Sequence, residues 1–323
     1  MRSYLPAEAD RVLIAANPRA GARSNRPRVE QLASLLTERG LHVEISSDLD
    51  QVSKLSSLWH SAGELRAVVG AGGDGTAAEL VNRTEPGMPI ALMPLGTENL
   101  LAKYIGLVPG PLAACQTIAD GAILHLDAGL AGGRIFLLMA SVGFDADVVW
   151  RLHSARQGHI RHWTYLKPIL EAVRSYDYPE LRIYCNEAGV DGSEDVSASG
   201  DTGHAFSARW MFAFNLPCYG GGLALAPQAC GNDELLDLCA FREGSVWQGL
   251  RYLSAVVLGR HQALADCVTK RVRRLRIEAD RPVAYQLDGD HGGFLPLELE
   301  VLPRRLSLLV PSAFQAGADP LLS

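Results

Sequence analysis

The strongest chemical signal in this 323-residue chain is Gly72-Gly73-Asp74-Gly75-Thr76, set between an apolar run and a helical pattern. Glycines let the backbone enter conformations closed to other residues and let a phosphate approach with no Cβ in the way. Exposed N–H groups in such a turn, with a helix N-terminus behind them, favour anions. Asp74 at the centre of a phosphate cradle is repulsive unless it faces a divalent cation or an incoming hydroxyl. The competing structural reading is a tight strand-to-helix turn with Thr76 as N-cap. Pro94-Leu95-Gly96-Thr97-Glu98-Asn99 repeats the logic, and Asn17-Pro18-Arg19-Ala20-Gly21 is a third loop of the kind. Alone, the second loop reads equally as a capped Pro/Gly turn. Ligands of open α/β sheets gather at the carboxyl ends of the strands, so three such loops together point to a nucleotide. No G-x-x-x-x-G-K-[ST] or G-x-G-x-x-G occurs, so the nucleotide site is of another kind.

The elements that must position these loops follow from periodicity. Arg11–Ala16, His42–Ser46, Ala67–Ala71 and Ile90–Met93 read as strands. Helical patterns lie between them: one carrying Val29, Leu32, Leu35 and Leu36, then Lys54–Gly63, Thr76–Asn82 and Thr97–Ile105. Strands alternating with helices of this length predict a parallel sheet in an α/β domain. Beyond Leu124 strand-like runs dominate: Leu124–Gly129, Arg134–Val142, Glu180–Cys185, Ala208–Phe214, Leu235–Phe241, Lys270–Ala279 and Leu297–Val301. Helices are expected at Tyr165–Ser175 and Gln248–Val257, and residues 186–204 read as a hairpin tip.

The length allows two ordinary domains. A net charge of -6 argues against nucleic acid as the main partner, because backbone phosphates call for a concentrated positive surface. Met1–Asp10 has no apolar stretch after a basic start, and the apolar run Ile135–Phe144 is about half of what spans a bilayer. That run reads as a buried strand. The six cysteines form no C-x-x-C pair, so free thiols in a cytosolic protein are expected.

Taken in order, Asn17-Pro18-x-x-Gly21, Gly72-Gly73-Asp74-Gly75-Thr76-x-x-Glu79 and Pro94-x-Gly96-Thr97-x-Asn99 resemble the catalytic domain of diacylglycerol and sphingosine/ceramide kinases and their bacterial relatives. Gly143-Phe144-Asp145 looks like that family's G-F-D turn. Tyr219-Gly220-Gly221-Gly222 with Ala226-Pro227 looks like its glycine-rich strand pair, and Asp233-x-Leu235-Leu236-Asp237 like its D-G-L-L-D segment. Asp288-Gly289-Asp290 stands where the family has D-G-E. The resemblance implies an ATP-dependent lipid kinase with an α/β nucleotide-binding domain (parallel sheet, phosphofructokinase/NAD-kinase-like) over residues 1–124. An all-β sandwich over 125–303 would hold the lipid, and a strand within 304–315 would return to the first domain. It implies nucleotide contacts at Asn17, Pro18, Arg19, Ala20, Gly21, Ser46, Gly72, Gly73, Asp74, Gly75, Thr76, Glu79, Gly96, Thr97 and Asn99. Magnesium would be held by Asp233 with the backbone carbonyls of Cys230 and Leu235. The proton acceptor would be Asp290, with Asp288 second and Asp74 orienting metal or hydroxyl. The implied setting is cytoplasmic, peripheral at the inner membrane surface, with a lipid alcohol as substrate and a homodimer as assembly.

Four positions depart from the family pattern: Ala20 for Ser, Ala78 for Asn, Leu100 where many diacylglycerol kinases carry Asp, and Asp290 for Glu. The last shortens the reach of the base by one methylene, and a misplacement of about 1 Å is worth roughly 10²-fold in rate. A nucleotide- or lipid-binding pseudokinase and an NAD-kinase-like enzyme are the alternatives. On periodicity alone Asp288-Gly289 is equally a hairpin turn. The basic run Lys270, Arg271, Arg273, Arg274, Arg276 reads either as a solvated strand edge or as a contact for anionic headgroups. No metal is expected at His153, His159 and His162.

Overall fold

The structure, a computed structural model, describes residues 2–6, 8–16, 25–154, 175–187 and 204–314. It divides into two compact units, Met1–Asp127 with Pro303–Ser323, and Ala128–Leu302.

In the first unit the strands are β1 (Arg2–Tyr4), β2 (Arg11–Ala16), β3 (His42–Ser46), β4 (Leu65–Gly72), β5 (Pro89–Pro94) and the start of β6 (Ala122–Ala131). The helices are α1 (Arg26–Thr37), α2 (Leu49–Ser61), α3 (Asp74–Arg83), α4 (Leu100–Tyr104) and α5 (Pro111–Asp120). The end of β16 (Leu297–Leu309) also belongs here, and β16, β5, β4, β2 and β3 lie side by side in that order. Every residue of β4 and β5 is buried, as expected of parallel strands covered on both faces. Val29, Leu32 and Leu36 of α1 and Ala114 and Ile118 of α5 pack against Val12, Val69 and Met93. The register sets Ala16 beside Ala71, Ala15 beside Ser46 and Gly72 beside Pro94, so the strands' carboxyl ends align.

The second unit is antiparallel. Its strands are the end of β6, β7 (Arg134–Phe136), β8 (Met139–Val142), β9 (Leu181–Glu187), β10 (His204–Ala208), β11 (Trp210–Phe214), β12 (Leu236–Phe241), β13 (Cys267–Glu278), β14 (Ala284–Leu287), β15 (Asp290–Phe294) and the start of β16. They pair in the order β15, β14, β8, β11, β12, β13, β16, with β9 joining β10 to β13. Among the described residues two α-helices complete it, α6 (Phe144–Ser154) and α7 (Val246–Val257). The fold class is thus the expected one, a parallel α/β unit and a β-sandwich unit.

Several local expectations need correction. The run Arg134–Val142 is not one strand: Leu137 and Leu138 part β7 from β8 because their N–H groups turn to the Asp288 carboxylate. Ile135–Phe144 ends in a helix start rather than a strand, after Gly143 at φ 101°. Thr97–Ile105 is helical only from Leu100, because Asn99 is left-handed (φ 51°). Tyr219–Gly222 is no strand, since Gly221 and Gly222 have φ of 73° and 72° and close a 3₁₀ turn. The helix expected at Tyr165–Ser175 and the tip of 186–204 lie largely outside the described residues.

Candidate active site

In the first unit, β4 ends at Gly72 and α3 begins at Asp74, with Gly73 between them. The backbones of the two glycine loops touch there. A Cβ on Gly96 would sit 2.6 Å from the Cα of Gly73, and one on Gly73 would sit 3.2 Å from the Cα of Gly96. Backbone cannot yield as a side-chain tip can, so Gly96 has no room for a Cβ and Gly73 is tightly confined. The Leu95 N–H donates to the Gly72 carbonyl at 2.9 Å.

Asp74 clamps the pair. Its two carboxylate oxygens accept from the N–H groups of Leu100 and Leu101, each at 2.9 Å, and so cap α4. Burial raises the Asp74 pKa, opposed by those N–H groups and by Lys103. Asn99 closes its own loop, accepting from the Gly96 N–H at 2.9 Å and donating to the Gly96 carbonyl at 2.8 Å. Gly75, Gly96 and Thr97 remain exposed. The first N–H groups of the ten-residue α3 open beside them, an arrangement that attracts anions.

Other residues of the implied nucleotide set are engaged elsewhere. Ser46 is buried at the end of β3, where its hydroxyl bonds to Gln51 Oε1 at 2.9 Å and accepts from the Asp48 N–H. Glu79 pairs with Arg83 at 2.6 Å, and Arg83 also meets Asp50 at 2.8 Å, so this carboxylate belongs to an ion-pair chain joining α3 to α2. Asn17, Pro18, Arg19, Ala20 and Gly21 lie outside the described residues, as do His159 and His162. Ala78, where the family carries Asn, packs into the core.

In the second unit, Asp288 (φ 51°) and Gly289 (φ 86°) form the two-residue turn joining β14 to β15, with Leu287 opposite Asp290. Two consecutive left-handed residues suit a hairpin of this twist. The Asp288 side chain is not a surface group. It accepts from the N–H groups of Leu137 (2.7 Å), Leu138 (2.8 Å) and Met139 (3.0 Å), which leaves it little capacity as a proton acceptor. Asp290 differs: its side chain is 41% exposed, and its contact is Arg134 at 3.4 Å.

Beneath the turn lies a polar network that sequence reasoning missed. The Gly289 N–H donates to Gln286 Oε1 at 2.7 Å, and Gln286 Nε2 donates to Asp145 Oδ2 at 3.1 Å. Asp145 also accepts from Ser141 Oγ at 2.5 Å and from the Tyr219 hydroxyl. Burial pushes the Tyr219 hydroxyl pKa well up, and Asp145 adds to that. One network thus ties the G-F-D turn and the Tyr219 segment to the Asp288–Asp290 hairpin. Tyr219 had a visible signal, an aromatic hydroxyl heading three glycines; Gln286 and Arg134 had none.

The implied metal site is separate, at the start of β12, with β8 and β11 between it and β14. Asp233, the one side chain implied for it, has protein partners there. Asp233 Oδ1 accepts from the Leu235 N–H at 3.1 Å, and Oδ2 is bonded to the Arg271 guanidinium, which also lies 3.8 Å from buried Asp237. Cys230 is exposed, with its thiol on Asn232 at 2.9 Å. Among the described residues, no three His, Cys, Asp or Glu side chains gather as a metal cluster. The basic run is also corrected: between Val272 and Ile277 β13 is not a sheet edge, since β9 pairs one side and β12 and then β16 the other. Its arginines are largely neutralised, Arg273 by Glu234, Arg274 by Glu298 and Arg276 by Glu278.

Residues 11–131 match the diacylglycerol kinase catalytic domain, and residues 139–310 match the YegS C-terminal NAD kinase beta sandwich-like domain. A diacylglycerol kinase of Mycobacterium tuberculosis is 29% identical over 257 residues, covering 76% of this chain and 77% of that one. One from Bacillus subtilis is 26% identical over 254 residues, covering 77% and 78%. The crystal structure of a putative diacylglycerol kinase from Bacillus anthracis superposes with a TM-score of 0.72 at 17% identity, covering 96% of this chain and 100% of that one, a likeness of fold.

Proposed function

We propose, for a chain that belongs to the diacylglycerol kinase catalytic-domain family of lipid kinases, that it transfers the γ-phosphoryl group of ATP to the hydroxyl of a diacylglycerol- or sphingoid-type lipid. The observation that carries this reading is the bare backbone contact between Gly73 and Gly96, locked by Asp74. Two loops pressed together without side chains present backbone N–H groups to a phosphate chain, with the α3 N-terminus adding a positive field. The nucleotide arrives as its magnesium complex, so the metal is part of the substrate and needs no resident cage.

Asp290 is the proton acceptor. As the lipid oxygen bonds to the γ-phosphorus, the bond from that phosphorus to the β–γ bridging oxygen breaks. The hydroxyl proton passes to Asp290 and ADP leaves. The transition state is loose, so positioning and charge stabilisation carry most of the acceleration, with the base adding about 10²–10⁴-fold. Arg134 balances the charge of Asp290 before the proton moves. Asp288 and Gln286 hold the turn that aims Asp290, which answers the missing methylene: reach is set by a braced hairpin rather than by side-chain length.

ADP release measured with ATP and either diacylglycerol in mixed micelles or NAD tests the reading. Release that requires the lipid is expected; release that follows NAD, or release with neither acceptor, would overturn it.

A further inference from the structure

Helix α7 carries an apolar stripe turned away from the protein. Trp247 is 81% exposed, Leu250 37%, Val257 68% and Leu258 68%, at positions that recur at helical spacing along one side. The opposite side is buried through Gly249, Tyr252, Ala255 and Val256. That inner side is firmly seated. Gly249 has no room for a side chain, since a Cβ there would lie 2.6 Å from the Tyr178 hydroxyl. Tyr252 donates to Asp266 at 2.6 Å, Arg251 pairs with the same carboxylate at 2.6 Å, and the Ser245 hydroxyl caps the helix by accepting from the Gln248 N–H. The helix is therefore held in this orientation, and its outward stripe is a fixed feature of the surface.

Exposed patches of this kind mark interaction sites. The flanks indicate which kind. Arg242 and Arg260 are exposed at the two ends of the helix, Arg251 in its middle is paired with the partly buried Asp266, and the other acidic group beside them is exposed Glu243. A Trp- and Leu-bearing face bordered by arginines matches a helix lying in a membrane interface, its apolar side reaching about 5–10 Å into the headgroup–acyl boundary. No helix among the described residues is long and apolar enough to cross a membrane. The basic strand β13 is a poor candidate for that contact, since its arginines are paired.

We propose that α7 is the segment with which this protein docks on a lipid bilayer carrying anionic headgroups, Trp247, Leu250, Val257 and Leu258 entering the interface and the flanking arginines facing phosphates. This rests on the lipid-kinase reading for its choice of partner, and its test is independent of turnover.

The full-length chain, without nucleotide, is co-sedimented with phosphatidylcholine vesicles with and without phosphatidylglycerol. Wild type should bind the mixed vesicles, more weakly at high salt, and the Trp247→Ser/Leu258→Ser variant should bind roughly tenfold less or weaker. Trp247→Phe guards against misfolding: it should keep binding, yet lose the quenching that brominated acyl chains cause in wild type. Arg273→Gln on β13 should bind as wild type does. Equal binding by the double variant, or quenching unchanged in Trp247→Phe, would overturn the proposal. So would wild-type self-association abolished by the double variant with vesicle binding intact, which would assign the stripe to a second copy. A chain that phosphorylates a short-chain, water-soluble acceptor but ignores vesicles loses this inference alone. One that binds vesicles through α7 but phosphorylates no lipid loses the kinase reading alone.

Discussion

The turns Gly73-Asp74-Gly75 and Asp288-Gly289-Asp290 look alike as sequence and differ as structure. In both, the aspartate that seems poised for chemistry is spent on backbone. Asp74 accepts from Leu100 and Leu101, Asp288 from Leu137, Leu138 and Met139. The first turn then offers only main-chain donors and a helix N-terminus, which suits an anion. The second keeps a further carboxylate, Asp290, half open beside Arg134, which suits a proton. An acidic residue in a glycine turn can thus persist because it fastens the turn to a distant segment, and the reactive group is the one left over.

This contrast can be broken most sharply at Asp290. Asp290→Asn should lower lipid phosphorylation by about 10²–10⁴-fold while shifting stability by no more than about 0.5 kcal/mol, read from turnover and urea melts. A stability loss as large as that of Asp288 variants would erase the distinction. Gly96→Ala should press a methyl group onto the Gly73 backbone and destabilise the first unit by about 1–3 kcal/mol, with ATP affinity falling in equilibrium binding. Asp288→Ala should strand three backbone donors and destabilise by roughly 3 kcal/mol, measured by denaturant unfolding. Its activity should fall through misaimed Asp290, with kcat affected more than KM.

The smallest effect is on pH. Burial raises the Asp74 pKa above 3.8, so just above that pH the folded chain holds a proton that the unfolded chain has released. Linkage then makes stability fall as pH rises from 3.8 to the folded value. Asp74→Asn should flatten this part of the stability profile, though it loses one acceptor and lies lower throughout. A profile parallel to wild type would mean Asp74 is not the buried titrating group.

Much of the first unit is legible in the sequence. Arg11–Ala16 reads as a strand from its apolar run, His42–Ser46 reads as the next strand, and the Gly72 and Gly96 loops announce themselves through their glycines. The second unit is less legible, for a physical reason. The bonds that shape its site, Asp288 to Leu137 and Gln286 to Asp145, span about half the chain or nearly so and leave no local period. The break between β7 and β8 comes from that same distant carboxylate. Arg271 on Asp233 is equally invisible, because nothing nearby in sequence says which acid an arginine meets.

The most direct test of the account is transfer of label from γ-labelled ATP to a total lipid extract, resolved by chromatography, for wild type and Asp290→Asn side by side. The account predicts a labelled lipid with wild type and a trace with the variant, at equal nucleotide affinity. No labelled lipid with either protein, or equal labelling with both, would contradict it.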